Sequence, residues 1–222
     1  MGLNRSEVLT RAMALLDEVG LEALTMRRLA ASLGVQPGAI YWHFRDKQEL
    51  HDAMSDAMLV ELLAPPLRGP WDEQLAELAR RTLRAFSRHR DGARVAAQTI
   101  APGPKALEVA EAMLRMLAEG GMRGAAGMWA AGVLMSYIVG FSLDVEALKA
   151  MEVRGIASMV RSLRETLDPR KYPHVLGMSD ALIASVAGAR DIDARFEFGL
   201  RLILNGLRTT PPPRRPRSRA RR

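Results

Sequence analysis

Residues 24–50 read Leu24-Thr-Met-Arg-Arg-Leu-Ala-Ala-Ser-Leu-Gly-Val-Gln-Pro-Gly-Ala-Ile-Tyr-Trp-His-Phe-Arg-Asp-Lys-Gln-Glu-Leu50, and the fold turns on this stretch. Thr25 stands where it can cap a short helix that turns Leu29, Ala30 and Leu33 inward, and Gly34 stops that helix. After the turn Leu33-Gly34-Val35-Gln36, Pro37 occupies the first position of another helix, expected to run to about Phe44. Two short helices joined by so brief a turn read as a helix-turn-helix. Asp46 and Glu49 then form a capping-box pattern that opens a long connecting helix over 46–63, ending before Pro65-Pro66.

Working outward, residues 5–19 carry Val8, Ala12, Leu15, Leu16 and Val19 on one face, with Asn4 and Glu7 as a cap and Gly20 as a stop. Downstream, helical spacing predicts spans 71–89, 92–100, 104–119, 123–150, 152–167, 179–188 and 192–208, divided mostly by Gly and Pro. Alternation of the β type is almost absent. The expected fold is all-α: an N-terminal three-helix helix-turn-helix domain over 1–46, a larger helical domain over 47–210, and a disordered Arg/Pro-rich tail over 211–222.

Charge is unevenly placed. The net charge of +7 includes six arginines in the last twelve residues, so residues 1–210 carry only +1. Residues 1–50 hold six bases and six acids, so a nucleic-acid surface there must come from placement rather than bulk charge. The absence of cysteine excludes a disulfide scaffold, a thiol nucleophile and a Cys-built metal centre. His43, His51, His89 and His174 show no metal-ligand spacing, and no nucleophile, base and oxyanion set emerges. No metal, no cofactor and no catalytic residue is therefore expected. Asp17/Glu18 and Asp72/Glu73 read as a solvated turn and a helix start. The start Met1-Gly-Leu-Asn-Arg has no basic-then-apolar segment, which points to the cytoplasm. Gly124–Leu143 is a 20-residue run without charge, long enough to span a bilayer. Its Gly and Ala content and the Asp144 and Glu146 that follow instead suggest a buried helix of a soluble dimer, with no membrane partner.

The turn Leu-Ala-x-x-Leu-Gly-Val, the end Tyr41-Trp-His-Phe44 and Lys47 together resemble the tetracycline-repressor (TetR) family of transcriptional regulators. Arg90-Asp-Gly-Ala-Arg-Val95 and Arg195-Phe-Glu-Phe-Gly-Leu-Arg-Leu-Ile-Leu-Asn-Gly-Leu207 are similar to that family's C-terminal domain, so the likeness spans nearly all of 4–208. It implies double-stranded operator DNA as partner and a role as repressor. The residues agree. At 100° per residue, Ile40 and Phe44 share an inward face, while Gly38, Ala39 and Trp42 point away and Tyr41 and His43 flank them. Trp42 then either meets a DNA groove or covers the edge of the core. Arg27 can read a guanine edge, Gln36 an adenine, and Ala39 a thymine methyl. Thr25, Tyr41, His43 and Lys47 suit phosphate contacts, Lys47 aided by a helix N-terminus.

The resemblance further implies that residues 71–208 form a ligand pocket and a homodimer interface, a four-helix bundle of 123–150 and 192–208 from both subunits. Gly132, Ser136 and Gly140 would let backbones approach, and Phe196, Leu200, Ile203, Leu204 and Leu207 would form the apolar seam; intrachain core is the alternative. In the tetracycline repressor a histidine just after the Arg-Asp-Gly-Ala-x-Val segment holds drug-bound magnesium. Ala96 stands there in this chain, and Leu78, Met113 and Met135 replace polar drug contacts. A tetracycline–magnesium complex is not the expected ligand. Thr82, Phe86, Thr99, Met113, Met128 and Met135 instead suggest a hydrophobic small-molecule effector, unless the methionines merely fill core. A second reading also stands: a small-molecule-binding or protein-interacting helical dimer whose helix-turn-helix, with Gly38 and Ala39, no longer binds DNA specifically.

Overall fold

Asn4 opens α1 (Arg5–Val19) with a reciprocal cap: its Oδ1 accepts the Glu7 N–H at 2.9 Å, and the Glu7 carboxylate accepts the Asn4 N–H at 3.0 Å. Val8, Ala12, Leu15 and Leu16 are buried along one face, and the chain leaves through Gly20 at φ 79°. Thr25 caps α2 (Met26–Ser32) by accepting the Arg28 N–H at 3.1 Å. Gly34, at φ 68°, makes the turn to α3 (Pro37–Tyr41). This third helix is shorter than the expected run to Phe44. Trp42 keeps helical angles, but the His43 and Phe44 N–H groups both bond to the Ile40 carbonyl and close the helix in a tight final turn. Asp46 caps α4 (Lys47–Met58), accepting the Glu49 N–H at 2.8 Å. The reciprocal half of that box is missing, because the Glu49 carboxylate takes the Arg45 N–H at 2.9 Å. The helix also stops at Met58 rather than 63, and residues 59–64 continue as successive turns.

The computed structural model describes residues 3–150, 153–178 and 189–210. The helix expected over 179–188 and the tail 211–222 lie outside them. The second half comprises α5 (Trp71–Ser87), α6 (Gly92–Ala97), α7 (Pro104–Glu119), α8 (Ala125–Ala150), α9 (Val153–Thr166), α10 (Pro173–Gly177) and α11 (Ala189–Thr209). The short α10 was not foreseen, since Pro173 reads as a separator and here stands at its first turn. No strand occurs among the described residues.

α8 is the organising element, packed against α5, α6, α7 and α11. It is apolar on every side, long and apolar enough to cross a membrane by composition alone. Ala126, Ala130, Leu134, Ile138, Phe141 and Val145, spaced three and four apart, form its buried face. Tyr137, Phe141 and Phe196 cluster where α11 crosses it, with ring centroids 5.2–5.9 Å apart, and the Tyr137 hydroxyl donates to the Phe196 carbonyl at 2.8 Å. One apolar core joins α1–α8 with α11. α4 ties its two ends together, packing on α1 to one side and on α6 and α7 to the other.

Candidate nucleic-acid interface and ligand cavity

The helix-turn-helix holds its candidate DNA contacts on α2, α3 and the first residue of α4, and none of them is buried. Trp42 is 89% exposed and Tyr41 is half exposed, so Trp42 does not cover the core edge; Ile40 and Phe44 do that work, fully buried. Gln36 precedes α3 and Ala39 lies within it. Arg27 is exposed without a hydrogen bond or ion pair among the described residues, whereas its neighbour Arg28 is tied to the Ala23 carbonyl at 3.2 Å. A β-carbon at Gly38 would meet nothing within 4 Å, so packing does not require the glycine there. Thr25 accepts the Arg28 N–H, which leaves its hydroxyl proton available. His43 and Lys47 are half-buried at the ends of α3 and α4. Arg5, which the sequence did not single out, fixes this end: its guanidinium sits 4.0 Å over the Phe44 ring, bonds to the His43 carbonyl and pairs with Glu49 at 3.0 Å.

Two sets of contacts join this unit to the rest. The first is the run Arg90–Val95. Asp17 accepts from the Arg90 N–H and meets His89 Nδ1, both at 2.9 Å, so Asp17 is a docking group and not simply part of a solvated turn. Asp91, held at φ 57°, accepts the Leu21 N–H at 2.8 Å, and Arg94 bridges Asp91 and Glu22 at 3.3 and 3.0 Å. Asp72 likewise does more than start a helix, pairing with Arg208 on α11. The second set comes from α4. Asp52 accepts the Ile100 N–H at 2.9 Å and the Ala101 N–H at 3.3 Å, while Gln48 reaches the Gln98 carbonyl at 2.8 Å. Asp56 accepts the Ala106 N–H at 2.8 Å at the start of α7. Burial alone would raise the Asp52 carboxyl, but the Ile100, Gln48 and Ala101 donors outweigh it and hold it below the usual carboxylate value. On the same helix His51 is 5% exposed and its Nε2 has no partner among the described residues. Burial lowers its pKa, Lys47 lowers it further, and Asp52 opposes.

Beyond Ala106 lies a cavity of about 270 Å³ between α5, α7 and α8. Thr82, Met113, Met128 and Met135 line it, joined by Leu59, Val109, Ala110 and Gly132 among others. Phe86 and Thr99 do not line it. Phe86 is buried in the core, and Thr99, two residues past the end of α6, turns its hydroxyl to the Val95 carbonyl of that helix at 3.2 Å. Thr82 is the one polar side chain in the wall, and its hydroxyl proton already goes to the Leu78 carbonyl at 2.9 Å. The wall therefore offers one acceptor and no side-chain donor. Leu78 is fully buried and outside the lining.

The small residues Gly132, Ser136 and Gly140 are exposed on α8, beside Met128, Val133 and a 60%-exposed Trp129. A β-carbon at Gly132 or Gly140 would meet open space. On α11 the residues expected at the seam divide by burial. Phe196, Leu200 and Leu204 are buried within the chain, and Ile203 and Leu207 are half-buried. The large exposed apolar side chains among the described residues of α11 are Phe198 and Leu202, which the sequence reading passed over.

The family model described as bacterial regulatory proteins, tetR family, matches residues 8–54, and that of the tetracyclin repressor-like C-terminal domain matches residues 65–210. The tetracycline repressor protein class C of Escherichia coli is 36% identical over 209 residues, covering 92% of this chain and 90% of that protein. Streptomyces coelicolor ActR in complex with actinorhodin aligns with a TM-score of 0.78 at 28% identity, over 92% of this chain and 95% of that one. BioQ with its natural double-stranded DNA operator aligns at 0.68 and 28%, over 94% and 99%.

Proposed function

This chain belongs to the TetR family of bacterial transcriptional regulators, and from that premise we propose that it is a homodimeric repressor released from a palindromic operator when a hydrophobic small molecule enters the α5–α7–α8 cavity. The supporting observation is a continuous path. Trp42 and Tyr41 stand exposed at the end of α3, α4 follows directly, and its Asp52 and Asp56 grip the segment that leads into the cavity wall. A ligand that shifts α7 therefore pulls on the helix that aims α3. Two recognition helices must enter major grooves about 34–36 Å apart, so a small tilt of α4 in each subunit prevents both from docking. Such coupling is typically about 1–3 kcal/mol.

In this reading α3 enters the major groove. Arg27, Gln36 and Ala39 read bases, Trp42 packs in the groove, and Thr25, Tyr41, His43 and Lys47 hold phosphates. The DNA-binding unit covers 1–46, and the protein acts in the cytoplasm as a regulator rather than a catalyst. ActR with actinorhodin is a neighbour bound to a small molecule, and BioQ one bound to DNA, which supports both partners here. The effector is apolar, with at most one hydroxyl or amine to donate to Thr82. A tetracycline–magnesium complex does not fit, since the cavity wall presents no metal-binding nitrogen and, beyond the Thr82 hydroxyl, no polar side chain.

The test is selection of fragmented genomic DNA with the purified protein, followed by footprinting. A protected, roughly palindromic site near a promoter is the expected result. Weak, salt-sensitive and sequence-indifferent binding would instead favour a non-specific contribution from the Arg-rich tail and sink the operator reading.

A further inference from the structure

A second cleft, of about 320 Å³, lies between the chain leaving α4 and the outer face of α5, within the usual size class of small-molecule sites. Its floor is apolar, built from Met58, Leu62, Pro65 and Ala85. Its rim is charged, because α5 carries Glu77, Arg81, Arg84 and Arg88 at helical spacing along one side. Arg81 is largely buried and fully engaged: Nε bonds to Glu77 at 3.0 Å, and Nη1 to the Leu62 and Pro65 carbonyls at 3.0 and 2.6 Å. Arg84 and Arg88 are different. Arg84 shares Glu77 with Arg81, at 3.1 Å, and Arg88 meets Glu61 at 3.2 Å in a pair more than half exposed on both sides. Arg80 is outside the cleft lining; it is drawn chiefly to Glu197 at 2.5 Å and meets Glu77 only at 3.7 Å, so it adds to the cations around that carboxylate. Three guanidiniums thus face two carboxylates around the cleft. Exposed pairs of this kind hold weakly and yield readily to another anion that offers a guanidinium two oxygens.

We propose that this cleft is a second small-molecule site, selective for a carboxylate that carries a short apolar chain or ring. The head group sits between Arg84 and Arg88, one helical turn apart, and the body lies on Met58, Leu62, Pro65 and Ala85. The α5–α7–α8 cavity cannot take such a molecule without stranding its charge, because no cation lines it. The two sites therefore choose opposite chemistries. Met58 and Leu62 belong to the end of α4 and the turn after it, so a bound acid rests against the helix that leads to α3.

Titration calorimetry of the full chain with sodium octanoate tests this, with 1-octanol as the uncharged counterpart and Arg84→Gln/Arg88→Gln as the variant. Both arginines are exposed enough for the variant to keep its helicity by circular dichroism. Octanoate is expected to bind the native chain, to bind less well as salt is raised, and to lose at least tenfold in affinity in the double variant, about 1.4 kcal/mol. 1-Octanol is expected not to displace it. Absence of octanoate binding, unchanged affinity in the variant, or displacement by 1-octanol would each overturn the proposal, the last two by placing the chain in an uncharged cavity.

Discussion

Trp42 gains nothing from the fold. An indole left 89% exposed forgoes burial that would have been favourable, and no neighbour compensates it. Replacing it should therefore separate folding from DNA binding. Trp42→Ala is expected to change unfolding free energy by no more than about 0.5 kcal/mol in urea melts, while weakening operator affinity roughly tenfold, about 1.4 kcal/mol, in a fluorescence-anisotropy titration. Gly38 makes the same argument from the opposite side. With open space where its β-carbon would be, Gly38→Ala should stabilise the chain by about 0.5–1 kcal/mol. If operator affinity then falls in a more stable protein, the glycine is kept for the room it leaves to DNA. The outward direction of Trp42 was legible from its angle to Ile40 and Phe44. Arg5 was not, since a lone arginine in a first turn gives no sign that it will cover a phenylalanine 39 residues later.

Helix boundaries were legible wherever a cap or breaker marked them, as at Asn4, Thr25, Asp46 and Pro104. The box at Asp46 was only half legible, because the Glu49 carboxylate takes the Arg45 N–H instead of closing on its own cap. α4 shows what such competition can do. Asp52 holds two backbone N–H groups of another segment, and Asp52→Ala leaves both without that partner. Both N–H groups are exposed and can turn to water, so the expected cost is only about 0.5–1.5 kcal/mol, together with a smaller effector-induced change in operator affinity, because α4 no longer follows the cavity wall. Retention of the full effector response would refute the role given to Asp52. His51 on the same helix gives a pH dependence of known sign. Its folded pKa lies below the ordinary 6.5, so the unfolded chain binds more protons. Its contribution is complete above pH 6.5 and is lost as pH falls from there toward the folded value. The Asp52 carboxyl, held below its ordinary 3.8, has the same sign but begins to act at more acidic pH: its contribution is present above 3.8 and lost on further acidification. His51→Leu should flatten the upper window of a stability-versus-pH curve and leave the lower one in place.

Sequence periodicity assigns a residue to a face of its helix but does not say which body covers that face. That is why the apolar positions of α11 could be listed from the sequence while the choice between seam and intrachain core stayed open. Phe196, Leu200 and Leu204 fall on the side of α11 that meets α8 of the same chain, and the surface left over belongs to Phe198 and Leu202. Together with Trp129 and Val133 beside the open Gly132 and Gly140, they leave large apolar side chains in water, the usual mark of a surface that another body covers. A second copy is the occupant that the operator model requires, since one α3 reads only one half-site. The two sides of α11 can be tested against each other. Phe198→Arg with Leu202→Arg alters only exposed positions, so helicity by circular dichroism should persist while sedimentation equilibrium reports a monomer and operator affinity collapses to that of a half-site. Leu200→Arg places a charge in the Tyr137–Phe141–Phe196 side of the helix, where it has no water, and should instead unfold the domain. If the double variant stays dimeric, the exposed face is not the interface; if Leu200→Arg yields a folded monomer, Leu200 faces the partner and not its own α8.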